Sequence, residues 1–191
     1  NASNLLAIYS VGKLYNIDKI KLLTAISTLE SVVGRLQSFL STNKVTVIID
    51  YAHTPDAIEN VISTINKIKS PSQNLITVIG CGGERDKDKR SIMGKICSDL
   101  SSNVIFTSDN PRSEDPKSII EDMIVGVSKF NTDKITVEIE RSKAIKEAKE
   151  NSAEGDIVLI AGKGHEDYQE LKNNKRIQFD DFKIAKQIFN K

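Results

Sequence analysis

The sequence predicts an α/β domain built on a mostly parallel, Rossmann-like sheet with helices on both faces. Three observations lead there. Residues 45–49, 75–79, 104–106 and 157–161 form short, nearly unbroken apolar runs, as expected of strands buried on both faces. Amphipathic stretches of helical period separate them. Polar and glycine-rich segments follow directly after each run, at the strand ends where open α/β sheets bind ligands.

Taken in order, residues 4–30 read as two helices. The first ends near Tyr15, and Asp18 caps a second that turns Ile20, Leu23 and Ile26 inward. The strand at 45–49 is followed by Thr54-Pro55-Asp56, a cap, a proline in the first helical position and an acid in the first turn. That helix carries Ile58, Val61, Ile62, Ile65 and Ile68 on its apolar face. The strand at 75–79 leads through Gly80-Cys81-Gly82-Gly83 to a helix with Ile92, Met93, Ile96, Cys97 and Leu100 on one side. After the strand at 104–106, Asp115-Pro116 starts a helix bearing Ile119, Ile120, Met123, Ile124 and Val127. A strand near 135–139, a short helix around 144–148 and the strand at 157–161 come next. A hairpin over 168–179 turns at Asn173-Asn174. A last helix with Phe182, Ala185, Ile188 and Phe189 follows.

The chain has 191 residues, enough for one domain with a sizeable core and some addition. Lys+Arg 27 against Asp+Glu 26 leaves a formal net charge of +1, so no global field draws it to nucleic acid or to a membrane surface. No apolar run approaches the length of a membrane span, and no secretory signal pattern is present. Cys81 and Cys97 are spaced too widely for a Cys-x-x-Cys unit and read as reduced thiols of a cytoplasmic protein. The start at Asn1-Ala2-Ser3-Asn4, without an initiator methionine, reads as a piece of something longer.

The informative polar residues share one kind of position. Asp50-Tyr51-Ala52-His53, Gly80 to Asp86, Asp109-Asn110-Pro111-Arg112 and Gly162 to Glu166 all follow directly after predicted strands, so a parallel sheet gathers them on one rim. Asp109 can take an ammonium, Arg112 can fork onto a carboxylate, and Pro111 fixes φ between them, although Asn-Pro alone also reads as a surface turn. Asp50 reads equally as a functional acid or a cap, with Thr54 already in the capping place. Lys163 reads as a phosphate or carboxylate ligand or as a solvated turn lysine. The run from Arg85 to Arg90 reads as a charged helix start in which Arg85 stands out by lying in the loop. His53 and His165 lack ligand-spaced partners, so no metal site is expected. The Gly80 loop lacks the Gly-x-Gly-x-x-Gly form and its ribose-binding acid. No Gly-x-x-x-x-Gly-Lys-Ser/Thr segment and no local nucleophile motif occurs.

Gly34-Arg35, Asp50 to Asp56, Gly80 to Asp86, Asp109 to Arg112 and Gly162 to Tyr168, in that order, resemble the C-terminal part of the Mur ligases, over essentially the whole chain. The resemblance is strongest to the branch that adds meso-diaminopimelate to UDP-N-acetylmuramoyl-L-alanyl-D-glutamate in peptidoglycan synthesis. It implies that residues 1–33 end a central ATPase domain and that 34–191 form the Mur ligase C-terminal domain. It implies ATP-driven amide formation through an acyl phosphate, with ATP and Mg2+ held mostly upstream by a phosphate loop and a carbamylated lysine. A chain of this extent alone should then not catalyse.

By resemblance, Arg85, Asp109, Asn110, Pro111, Arg112, Gly162 and Glu166 hold diaminopimelate. Arg35 and Asp50 touch the ATP ribose and phosphates, and Asn1 and Asn4 lie on the adenine side. His53, Lys163 and His165 sit in family motifs without a definite role. The expected partners are small molecules: diaminopimelate, the UDP-N-acetylmuramoyl dipeptide and ATP. Nucleic acid and membrane insertion are not expected, and the protein is expected to be a monomer. Lysine-adding relatives lack an arginine at the place of Arg112, as a substrate without a distal carboxylate would allow. The competing readings are that lysine-adding activity, a non-catalytic amino-acid-binding module, and half of a dinucleotide-dependent oxidoreductase.

Overall fold

A computed structural model describes residues 2–29 and 33–191, with side chains from residue 4 onward. The chain divides into two compact units, Asn1–Val32 and Val33–Lys191.

The first unit is a helical pair, α1 (Ala2–Leu14) and α2 (Lys19–Ser27). Asp18 caps α2 by accepting from the backbone N–H groups of Ile20 and Lys21 at 3.0 and 3.1 Å. Gly12 sits where a Cβ would meet the Leu22 methyls at 2.7 Å, so the glycine admits Leu22 between the helices. Leu22 is buried and Ile26, one turn on, is half-buried. Ile20 and Leu23, expected inward, are instead exposed at 74% and 45%. The inner stripe of α2 runs instead through the i, i+4 pair Leu22–Ile26.

The second unit alternates strands and helices: β1 (Gln37–Leu40), β2 (Thr46–Asp50), α3 (Pro55–Ile68), β3 (Leu75–Ile79), α4 (Asp88–Leu100), β4 (Asn103–Phe106) and α5 (Pro116–Ile124). A 3-10 turn at Lys129–Lys134 precedes β5 (Ile135–Val137), α6 (Arg141–Glu150) and β6 (Ile157–Ala161). The hairpin β7 (Tyr168–Leu171) and β8 (Lys175–Gln178) and then α7 (Asp181–Phe189) complete it. The main sheet has the order β1-β2-β6-β3-β4-β5, parallel except for β1.

Alternation within the strands sorts side chains onto two cores. Ile48, Leu75, Ile79, Val104, Phe106 and Leu159 point to the side of α3, α4 and α5, with Ile58, Ile62, Met93 and Ile120. Val47, Ile49, Ile76, Val78, Ile105, Val158 and Ile160 point the other way, onto Ala144, Ile145, Ala185 and Phe189 of α6 and α7. Both faces being covered accounts for strands without polar alternation. Each of the Val, Leu, Ile, Met and Phe side chains among them contributes about 1.5–3 kcal/mol by leaving water.

Three sequence expectations change. Ile68, Ile92 and Ile124, placed on apolar faces, are exposed at 76%, 49% and 38%, because α3, α4 and α5 bury narrower stripes than their isoleucine content implies. The strand expected to 139 ends at Val137, and the short helix around 144–148 extends over Arg141–Glu150. Strand β1 is absent from the sequence reading: it is a four-residue antiparallel edge strand whose burial alternates weakly.

Candidate functional site

The carboxyl ends of β2, β6, β3 and β4, four neighbours in the sheet, release the four loops singled out above onto one rim. Between them lies a cavity of about 340 Å3. Its wall includes Arg85, Asp109, Asn110, Arg112, Gly162 and Glu166, together with His53. Tyr51, Thr54, Cys81 and Lys89 also line it.

The glycines serve these contacts between loops. A Cβ on Gly83 would overlap the Pro111 carbonyl, and one on Gly162, whose φ is +114°, would lie 2.7 Å from Asp109 Oδ2. At both glycines the backbone therefore packs closely against the loop after β4. Arg112 itself takes φ +53°, an uncommon setting for a side-chain-bearing residue.

A charged knot joins the loops after β4 and β6. Lys163 is fully buried, which rules out the solvated-turn reading. Its ammonium donates to Asn110 Oδ1 at 3.0 Å and to Glu166 Oε2 at 3.2 Å, and stands 3.9 Å from Asp109 Oδ1. Asn110 Nδ2 donates to Glu166 Oε2 at 2.8 Å, while Asn110 Oδ1 also accepts from the Glu170 N–H at 2.9 Å. These bonds fix which way the amide points. One lysine against Asp109 and Glu166 leaves this nook a net negative charge, suited to an ammonium ligand. Burial pushes the Asp109 carboxyl up from its ordinary range, and the cations Arg141 and Lys163 oppose that shift. Arg141 is itself buried. Its Nε and Nη2 donate to the buried Asp181 at 2.8 and 2.7 Å, and Nη2 donates to the Ala161 carbonyl at 2.9 Å.

Strand β7 fastens the loop after β4. Gln169 Nε2 donates to the Asp109 carbonyl at 2.6 Å and to Ser108 Oγ at 3.2 Å, and the Arg112 N–H donates to the Glu170 carbonyl at 3.1 Å. Arg112 Nη1 donates to the Gly83 carbonyl at 2.8 Å, and its Nε pairs with Glu170 Oε2 at 3.0 Å.

Arg90 is not part of a solvated helix start. Fully buried, it donates to both Glu114 oxygens at 2.9 Å, to Asp122 at 2.9 Å and to the Gly82 carbonyl at 3.3 Å. Its hydrogen bonds hold Glu114 down at about 2. Burial pushes the Cys81 thiol up to about 12, so this cavity-lining sulfur stays protonated and unreactive.

Of the other residues named from the sequence in this unit, Asp50, Arg35, Pro111, Lys163 and His165 do not line the cavity. Asp50 is buried and accepts from Leu36 N–H and Ala52 N–H, both at 2.8 Å, which pins the backbone beside Arg35. Arg35 is exposed and makes no ion pair among the described residues. Gly34 abuts Gly164 and the His165 N–H, so this turn lies against the loop after β6. His53 Nδ1 donates to the Tyr51 carbonyl at 2.8 Å, and the rings of His53 and His165 stand 4.5 and 5.2 Å from that of Tyr51. Asn4 is exposed on α1, and Asn1 lies outside the described residues. Pro111 is buried behind the loop. No helix of the described residues is long and apolar enough to cross a membrane.

Lys89, Gln169, Glu170 and Arg90 were missed as site residues. For Lys89 and Arg90 the signal was present in the charged run but could not separate buried from solvated members. Gln169 and Glu170 lie in a hairpin whose alternation gave no hint of the loop it would grip.

Residues 34–164 match the family described as Mur ligase, glutamate ligase domain. A UDP-N-acetylmuramoyl-L-alanyl-D-glutamate--2,6-diaminopimelate ligase of Cytophaga hutchinsonii is 45% identical over 190 residues, 100% of this chain and 39% of the relative. The enzyme of that name from Aquifex aeolicus is 50% identical over 158 residues, 83% of this chain and 32% of its own length. Among solved structures, one of a ligase of that name superposes with TM-score 0.75 at 39% identity, over 99% of this chain and 38% of its own. The MurC ligase of Thermotoga maritima, at 20% identity and TM-score 0.60 over 83% of this chain and 33% of its own, shares the fold. The chain spans about 39% of the length of the Cytophaga relative.

Proposed function

We propose, from the premise that this chain belongs to the Mur ligase family, that its cavity is the amino-acid site of a ligase. That ligase adds meso-diaminopimelate to UDP-N-acetylmuramoyl-L-alanyl-D-glutamate. Residues 34–191 are the amino-acid-binding C-terminal domain, and 1–33 are the end of the central ATPase domain.

The observation that carries this reading is the separation of charge within one small cavity. Asp109 and Glu166 face Lys163, with the nearby Arg141 already paired to Asp181, and so attract an ammonium, while Arg112 and Arg85 offer cations to a carboxylate. The distal end of diaminopimelate is a zwitterion of that form. A substrate with a distal amine and no carboxylate would leave Arg112 without its ligand, which favours diaminopimelate over lysine. The names of the relatives support the same substrate.

ATP, with Mg2+, supplies phosphoryl activation of the glutamyl γ-carboxylate, and this chain orients the incoming amine. By gripping the distal zwitterion, the rim fixes the far end of the amino acid and so restricts where its other amine can lie, replacing a bimolecular search by a positioned attack. Arg35, exposed and without an ion pair among the described residues, has the chemistry to hold a phosphate. Asp50 fits the supporting part, since one of its oxygens already binds the Leu36 N–H beside Arg35 and the other the Ala52 N–H of its own loop. Among the described residues no group of three or more His, Cys, Asp or Glu is arranged to hold a metal ion. This reading leaves Mg2+ and the phosphate loop to the length of the relatives that the chain does not span.

The test is a steady-state assay of the full-length ligase with Arg112→Ala, varying diaminopimelate and ATP separately. KM for diaminopimelate should rise strongly and KM for ATP should stay near its starting value. An equal loss for both ligands removes the assignment.

A further inference from the structure

We propose that Glu170, on the hairpin outside the family-matched residues, is a positioning residue that aims Arg112 and thereby sets selectivity for a distal carboxylate. The proposal rests on the reading of the cavity just given.

Glu170 grips Arg112 at two points. Its carbonyl accepts from the Arg112 N–H at 3.1 Å, which holds the backbone at its uncommon φ of +53°. Its Oε2 pairs with Arg112 Nε at 3.0 Å, so the carboxylate restrains the inner edge of the guanidinium. With Nη1 donating to the Gly83 carbonyl at 2.8 Å, both Nε and Nη1 are committed, and Nη2 has no partner among the described residues. A planar fork restrained on one edge presents the rest in a defined direction, which a freely rotating arginine does not.

Charge supports the same role. The other Glu170 oxygen, Oε1, stands 3.5 Å from Arg176 Nη2, and the Arg176 guanidinium lies over the Tyr168 ring at 4.3 Å from its centroid. Two arginines against one glutamate leave the cluster net positive, so Glu170 orients Arg112 without cancelling the attraction for a carboxylate. Glu170 does not line the cavity, so it acts on the ligand through Arg112.

The experiment compares Glu170→Ala, Glu170→Gln and Arg112→Ala in the full-length ligase, with meso-diaminopimelate, L-lysine and ATP varied in turn. L-lysine is the probe that lacks the distal carboxylate. Glu170→Ala should raise KM for diaminopimelate about tenfold and lower its preference over L-lysine by a similar factor, leaving KM for ATP within about twofold. Glu170→Gln, which keeps the side-chain length but not the charge that pairs with Nε, should recover only part of the loss. Unchanged KM for diaminopimelate in Glu170→Ala, or a parallel rise in KM for ATP, overturns the proposal. If Arg112→Ala raises KM for diaminopimelate while Glu170→Ala does not, this inference alone fails. If Arg112→Ala also leaves it unchanged, the reading of the cavity fails with it.

Discussion

Two sets of loops around the cavity hold their charges differently. In the loops after β4 and β6, Asp109, Asn110, Lys163 and Glu166 contact one another, and Arg141–Asp181 lies buried close by. In the loops after β2 and β3, which alternate with them along the rim, His53 and Arg85 are exposed, and Arg35 ahead of β1 is as well. The first set has its geometry before any ligand arrives, which lowers the ordering cost of binding and favours discrimination. The second carries the exposed guanidinium groups of Arg85 and Arg35, suited to an anion held by charge more than by shape. On the proposed reading, selection and activation fall to different, interleaved loops of one rim.

The strongest way to break this contrast is to remove the support beneath the prebuilt half. Arg141→Ala leaves the buried Asp181 carboxylate without its partner and should cost about 3–5 kcal/mol, read from the denaturant midpoint of the chain. A cost under about 1 kcal/mol would mean that this side is no more rigid than the other.

Arg112→Ala should lower kcat/KM for diaminopimelate by about 1.5–3 kcal/mol, the scale of a charge-assisted bond. Arg112 bridges the contrast, since one edge is fixed and the other is open to the cavity.

The Arg90–Glu114 pair, which ties the Gly82 loop to the loop after β4, gives a pH test. The Glu114 carboxyl is held down at about 2 from its ordinary 4.5. Its stabilisation is therefore fully present above about pH 4.5 and is lost as pH falls toward 2, amounting at most to about 3 kcal/mol before solvent screening. Acid titration of unfolding should show that component in the parent chain and lack it in Arg90→Met. The same slope in both would detach the pair from the stability of the rim.

The smallest effect belongs to the open half. Arg85→Ala should cost about 1 kcal/mol or less in diaminopimelate binding and fade as salt is raised, as for an exposed cation. A loss as large and as salt-insensitive as that of Arg112→Ala would place Arg85 in the prebuilt half.

The four central strands were legible because burial on both faces leaves unbroken apolar runs, as at Ile157–Ala161. Thr54-Pro55 and Asp115-Pro116 marked helix starts through capping chemistry, and in both the cap side chain makes its bond. The convergence of Arg85, Asp109, Asn110, Arg112, Gly162 and Glu166 on one cavity was legible from their shared position after strands. The contacts that arm those residues were not. Lys163 and Arg90 look like surface cations in any local window, and only tertiary burial makes them the centres of their clusters. Glu170 meets Arg112 across 58 positions of sequence (170 − 112), a separation at which composition and periodicity carry no information.

The place of β6 has a consequence for assembly. It sits between β2 and β3, and each of them pairs with β6 and not with the other. A nascent chain that has emerged only through α6 therefore carries two sheet fragments with complementary open edges and no strand to join them. The rim and its cavity come into being only when residues 157–170 arrive, so docking of this late strand is the event that couples global folding to competence for binding. Partly made or partly unfolded chains are left with exposed, aggregation-prone edges at β2 and β3.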